Sequence, residues 1–339
     1  MNIIIDPMTM SPHLKYLIPN NVYFTYIGDI FKHIWSGGET RQNILNNYNI
    51  DIELENTKIK DAPYYENMFF VINILSSEKT HQGPSFQLWI DLYKNTYNKF
   101  IDKIKGKIVI IDNHGGDYEP SIYLNKFNFK CDVILKRVYS NRNKPRYIKN
   151  THSYPFVMDT SNDPLYKLYK LQQFIEEIYV NNKIFFAGSL FEYDEEWDNN
   201  NTYEHANRKL IVNGFTNKYP NILELKSVPY TIFHKTISTY KYALDIRGTS
   251  RLNKRLYEIL STNTLLLAEK IDIAWPFEDG EGFSEECFFE QGKCDDLYRI
   301  YTNFENNPAL YRTCLENQMY IVKKYFNNEW LWNYIKRLI

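Results

Sequence analysis

Arg251, Lys254 and Arg255 put three cations into five residues where a helix is expected to start, and this spacing is the strongest chemical signal in the chain. An apolar run from Tyr242 to Ile246 leads into Arg247, Gly248, Thr249 and Ser250, a turn ending in residues suited to an N-cap. The helix is expected to stop near Ser261, and a second apolar run follows from Leu265 to Ala268, so the segment reads as strand, helix, strand. At about 100° per residue, Arg251, Lys254, Arg255 and Glu258 share one arc, while Leu252, Leu256, Ile259 and Leu260 share another. A cation in the first turn opposes the helix dipole by roughly 0.3 to 1 kcal/mol, so an anion is expected there. Backbone N–H groups, a glycine for close approach and converging guanidinium groups together describe a diphosphate cradle. A solvated charged face is the competing reading of the same arc.

The scaffold for such a loop is a parallel sheet, whose ligands sit at the carboxyl ends of its strands. Buried-strand candidates in the first half are Asn2–Ile5, Val22–Tyr26, Met68–Leu75, Lys107–Ile111 and Asp132–Leu135, with a helical repeat over Phe86–Ile104. The second half offers Lys183–Ser189 and Ile222–Leu225 before the unit above. Asn141 to Asp163, polar and holding Pro145 and Pro155, reads as the passage between domains. A helix is expected over Leu165–Tyr179, and the C-terminus reads as helical, from Pro308 to about Phe326 and again from Trp330 to Leu338. Domains are therefore expected over 1–163 and 164–320, with a C-terminal helix in 321–339 that packs back on the first.

A chain of 339 residues suits two cores rather than one. With 40 basic and 41 acidic residues the net charge is -1, which argues against a polyanion partner, and no nucleic acid is expected. No apolar run approaches a membrane span or a signal-peptide core, so a cytoplasmic protein is expected. Cys131, Cys287, Cys294 and Cys314 form no C-x-x-C pair, and reduced structural thiols are the default. The acidic clusters Asp194–Asp198 and Glu278–Glu281 lack an oxygen-ligand pattern, so solvated loops and no metal are expected.

Several segments resemble glycosyltransferases of the GT-B type, in particular the exostosin-like and the capsule-associated or protein O-glucosyltransferase-like families. Tyr240–Gly248 and Arg251–Leu267 resemble the nucleotide-binding unit of these families, Lys183–Ser189 resembles the opening of their donor domain, and Trp275–Asp279 resembles an exostosin element. The resemblance covers about the last 160 residues. Ala187 departs from the pattern, where those families often have Arg; one expected phosphate contact is then either missing or supplied elsewhere, by Arg208 or Arg247. Asn263 likewise replaces a common glycine.

The resemblance implies an α/β fold of two Rossmann-like domains facing across a cleft, closed by C-terminal helices. It implies sugar transfer from a nucleoside diphosphate sugar, UDP first and GDP second, to a glycan, protein or small-molecule hydroxyl, without a cofactor. Arg251, Arg255 and Lys254 would bind the diphosphate, with Arg247, Gly248, Thr249 and Ser250 beside them and Gly188 with Ser189 forming a second loop. For Gly188 and Ser189 a plain strand-ending turn is the other reading. Glu258 would accept from ribose hydroxyls or else pair with Lys254 at i, i+4. An inverting enzyme needs a base from the first domain, and His114 and Asp117 lead, followed by Asp6, His13 and Glu39. The alternative is a noncatalytic nucleotide- or nucleic-acid-binding protein using the basic helix 250–260.

Overall fold

A computed structural model describes residues 2–6, 24–28, 64–72, 84–112, 124–125, 128–141, 144–147, 149–155, 181–188, 190, 208–247, 252 and 254–339. The chain divides into two units, Met1–Asp163 with Leu331–Ile339, and Pro164–Trp330.

The first unit is built on a six-stranded sheet. Its strands are β1 (Asn2–Asp6), β2 (Phe24–Gly28), β3 (Met68–Ile72), β4 (Ile108–Asp112), β5 (Val133–Lys136) and β6 (Thr151–Ser153). They lie in the order β2-β1-β3-β4-β5-β6, and every pairing is parallel. Strand β3, Met-Phe-Phe-Val-Ile, is buried at every position, as expected for a sheet covered on both faces. Helix α1 (Pro84–Ile101) sets Tyr93 and Tyr97 against Phe70, with ring centroids 6.0 and 5.6 Å away. Gly106 permits a close crossing, because a Cβ there would lie 2.3 Å from the Glu66 carbonyl oxygen.

The stretch expected to link the domains is in part structural. Thr151–Ser153 pairs with β5 as the sixth strand, preceded by a 3₁₀ turn at Lys144–Arg146. Three residues carry too little apolar pattern to announce a strand; pairing with β5 creates it.

The second unit is built on β7 (Asn181–Phe186), β8 (Leu223–Leu225), β9 (Tyr240–Asp245), β10 (Leu265–Glu269) and β11 (Phe288–Phe289). Their order is β11-β10-β9-β7-β8, again all parallel. The helices are α2 (Arg208–Lys218), α3 (Tyr230–Ile237), α4 (Lys254–Leu260), α5 (Cys294–Asn306) and α6 (Pro308–Tyr325). Leu244, Ile246, Leu265 and Leu267 have no exposed surface, and each such side chain contributes roughly 1.5–3 kcal/mol of burial. Helix α6 begins as its sequence predicts: Pro308 occupies its first turn, and the Asn307 side chain accepts from the Leu310 N–H at 3.1 Å. Helix α7 (Asn328–Leu338) follows, and Leu331–Ile339 belong with the first unit. There Trp332 lies 6.0 Å from Phe69 between ring centroids, and the Tyr334 hydroxyl donates to the Ser153 carbonyl at 2.8 Å.

The signal helix starts later than its sequence suggests. Leu252 is fully buried in a bend, and the described helix is Lys254–Leu260. Burying Leu252 turns the chain into the core before helical geometry begins. All four cysteines are free thiols. Among the described residues no helix is long and apolar enough to cross a membrane.

Candidate functional site

The order of the second sheet reverses between β7 and β9, and open parallel sheets bind ligands at the carboxyl ends of strands beside such a reversal. A cavity of about 500 Å³ lies there. Its lining comes from Phe186–Gly188 after β7, Leu225–Val228 after β8, Phe233 of α3, and Arg255 and Glu258 of α4. Three of the residues singled out from sequence, Gly188, Arg255 and Glu258, thus meet on one cavity.

Arg255 is held on two sides. Its guanidinium carbon sits 4.2 Å from the Phe233 ring centroid, and Nη1 lies 3.2 Å from Glu258 Oε2. Burial lowers the Arg255 pKa, with Glu258 and Asp245 opposing the shift and Arg208 adding to it. Arginine nevertheless stays charged at any working pH. Glu258 is only 4 % exposed, so its part of the arc is not the solvated helix face that the charges alone allow. Arg255, at i, i+3, is an ion-pair partner of Glu258.

Gly188 is constrained by its neighbours. A Cβ at this position would lie 2.8 Å from Phe186 Cζ and 3.3 Å from Arg208 Nη1. Arg208 in turn donates from Nη2 to the Ile246 carbonyl at 2.9 Å, tying α2 to the end of β9. Of the two arginines expected to replace the one absent at Ala187, Arg208 therefore stands beside the Gly188 turn. Arg247 does not line the cavity: it is 6 % exposed, and its Nε lies 3.6 Å from Glu269 Oε2, an oxygen that also accepts from the Arg247 backbone N–H at 3.1 Å.

Lys254 opens α4. Ser189, Gly248, Thr249, Ser250 and Arg251 lie outside the described residues, as do His114, Asp117, His13 and Glu39. Asp6 is the last residue of β1. Sequence reasoning missed Phe233 and the Lys226–Val228 turn. The available signal was Pro229 ahead of Phe233 and Ile237, an i, i+4 apolar pair at the start of a helix.

The acidic loop expected to be solvated is tied down. Lys324 Nζ reaches Glu278 at 2.8 Å and Glu281 at 2.7 Å, while the Tyr325 hydroxyl donates to Glu281 and accepts from the Glu278 N–H. Lys324 supplies the positive charge that the loop's sequence lacks. Among the described residues no group of three or more His, Cys, Asp or Glu could hold a metal ion.

No protein-family model matches the chain, and no curated protein matches it in sequence. Solved structures do. An α-glucosyltransferase in complex with UDP and a 13-mer DNA is 10% identical with a TM-score of 0.51, over 99% of this chain and 98% of that one. The same enzyme with UDP alone gives 10% identity and a TM-score of 0.51 over 100% and 99%. The Anabaena protein Alr3699/HepE, in complex with UDP and glucose, is 11% identical with a TM-score of 0.50 over 99% and 98%. The chain has the GT-B fold. This likeness supports the GT-B fold and not the exostosin-like or capsule-associated families in particular.

One expectation is overturned. Nucleic acid was excluded on total charge, yet a GT-B chain was solved with DNA bound. A net charge of -1 averages over all 339 residues, whereas phosphate contacts are made by local groups of Lys and Arg.

Proposed function

We propose that the chain is a glycosyltransferase that moves a sugar from a nucleoside diphosphate sugar, UDP first and GDP second, to an acceptor hydroxyl. The observation that carries this reading is the meeting of Gly188, Arg255 and Glu258 on one cavity at the reversal point of the second sheet. The GT-B structures similar to this chain hold UDP, which favours that nucleotide. The likeness of 240–248 and 251–267 to the exostosin-like and capsule-associated families supports the same donor chemistry.

In this reading the acceptor oxygen attacks the anomeric carbon, and the bond from that carbon to the β-phosphate oxygen breaks with its electron pair leaving on the phosphate. Arg255 stabilises the charge that builds there, preorganised by Phe233 and Glu258. Arg251 and Lys254 add cationic character, while Gly188, Ser189, Gly248, Thr249 and Ser250 offer backbone N–H groups. Glu258 accepts from the ribose hydroxyls. Arg247 acts one step back, fixing the end of β9 through Glu269. The first domain supplies the base of an inverting reaction, with His114 and Asp117 as its candidates. The enzyme is cytoplasmic and works without a metal.

The test is a thermal-shift screen of UDP, GDP, ADP and TDP, followed by hydrolysis of the matching sugar nucleotide with Mn²⁺ and with EDTA. UDP is expected to raise the melting temperature most, with hydrolysis equal in both conditions. If none of the four nucleotides shifts the melt, the reading fails.

A further inference from the structure

Between Asp132 and Asp159 the sequence holds no acidic residue and six basic ones, Lys136, Arg137, Arg142, Lys144, Arg146 and Lys149. In a chain of net charge -1 that is a local field of one sign. The structure sorts these cations. Lys136 has no exposed surface and pairs with Asp112 at 3.0 Å, and Arg137 is 9 % exposed, so both belong to the interior. The other four fall on the crossover from β5 to β6.

That crossover is anchored from inside. Tyr139 and Tyr147 are buried with ring centroids 4.6 Å apart, the Tyr147 hydroxyl accepts from the Ser140 N–H at 3.3 Å, and the Asn150 side chain donates to the Asp132 carbonyl at 2.6 Å. Lys144 and Lys149 are exposed on it. Neither makes an ion pair among the described residues. Among the described residues strand β6 is the outer strand of its sheet, and the crossover lies beside it.

Cations spread along a fixed crossover, in a segment without an acidic residue, suit a long polyanion with repeating phosphates better than one phosphate group. Tyr139, Tyr147 and Tyr154 are turned inward, so among the described residues the crossover presents no aromatic anchor to a bilayer. We propose that the β5–β6 crossover of the first unit is a contact surface for the phosphate backbone of nucleic acid, which makes nucleic acid the acceptor class. This rests on the sugar-transfer reading for its purpose, but it is tested without it.

Lysines beside an outer strand also keep other chains from pairing with it, and glutamates would do the same. Charge reversal therefore separates the two roles. In the full-length chain, the double variant Lys144→Glu, Lys149→Glu is compared with wild type for binding a labelled duplex of about 20 base pairs and its single strand, at about 50 and about 200 mM NaCl. Wild type is expected to bind with a steep salt dependence, and the variant about tenfold or more weaker with a shallower one. UDP should raise the melting temperature of both equally. Wild-type affinity in the variant, no binding by wild type at low salt, or preferential capture of heparin over DNA overturns the surface while the donor reading stands. Loss of the UDP shift in wild type sinks the donor reading, whichever way the DNA measurement falls.

Discussion

Arg255 has two duties, and they can be pulled apart. Replacing it with Ala removes one ion-pair partner of the buried Glu258, and breaking a buried pair from one side costs about 3–5 kcal/mol, less here because the arginine side chain is 21 % exposed. Replacing both, as Arg255→Met with Glu258→Gln, removes the buried carboxylate charge as well. Urea denaturation should therefore find the single variant less stable than the double. Sugar transfer should fall by about 10² to 10³ in both if Arg255 stabilises the leaving group. Transfer that tracks stability instead would reduce Arg255 to a structural residue. Glu258 is tested through its ligand: wild type should prefer UDP to 2′-deoxy-UDP by about tenfold, a difference of about 1.4 kcal/mol, and Glu258→Gln should lose that preference. A flat preference in wild type would remove Glu258 from the ribose. The sequence singled out both residues through charge type and helical spacing, but offered Lys254 rather than Arg255 as the ion partner of Glu258. It could not reveal Phe233 under the guanidinium, because that contact joins residues 22 positions apart through a helix packed on another element.

At the scale of elements, the loop 275–284 shows how a polar segment is fixed by a partner that lies far along the chain. Lys324 and, after it, the Tyr325 hydroxyl hold the Glu281 carboxyl down at about 2, against an ordinary value of 4.5. A depressed carboxylate contributes stability that is fully present above pH 4.5 and lost as pH falls through about 2. The difference in melting temperature between wild type and Glu281→Gln should therefore shrink across that window. Trp275, packed 5.3 Å from Phe277 and 5.4 Å from Phe283 between centroids, gives a fluorescence signal of the loop's release. A difference that is constant from pH 6 to 2 would assign the effect to shape rather than charge. Strands such as β3 and β10 were legible because both faces are covered, leaving continuous apolar runs. Strands β6 and β11, three and two residues long, and the loop's ties to Lys324 arise from tertiary pairing that no local pattern encodes. Helix α5 was missed although Leu297, Ile300 and Phe304 repeat at helical spacing; its first turn carries Asp295 and Asp296, the signs a helix dipole favours.

For the whole molecule, the decisive property is that two units with separate sheets share one chain whose last residues return to the first unit. If the donor site lies wholly in the second unit, as the cavity lining indicates, UDP should slow hydrogen exchange around 184–188, 223–233 and 254–260 and leave β3 and β4 unchanged. Trp332→Ala provides the converse. The indole is 8 % exposed and packs on Phe69 of β3, so its loss should destabilise the first unit by about 3 kcal/mol and speed exchange in β3 and β4. UDP should still protect the second unit of that variant at wild-type concentrations. Were the Trp332 change to raise the UDP concentration needed for protection by more than about tenfold, nucleotide binding would depend on the first unit, and the residues 254–260 and 186–190 would form only part of the donor site.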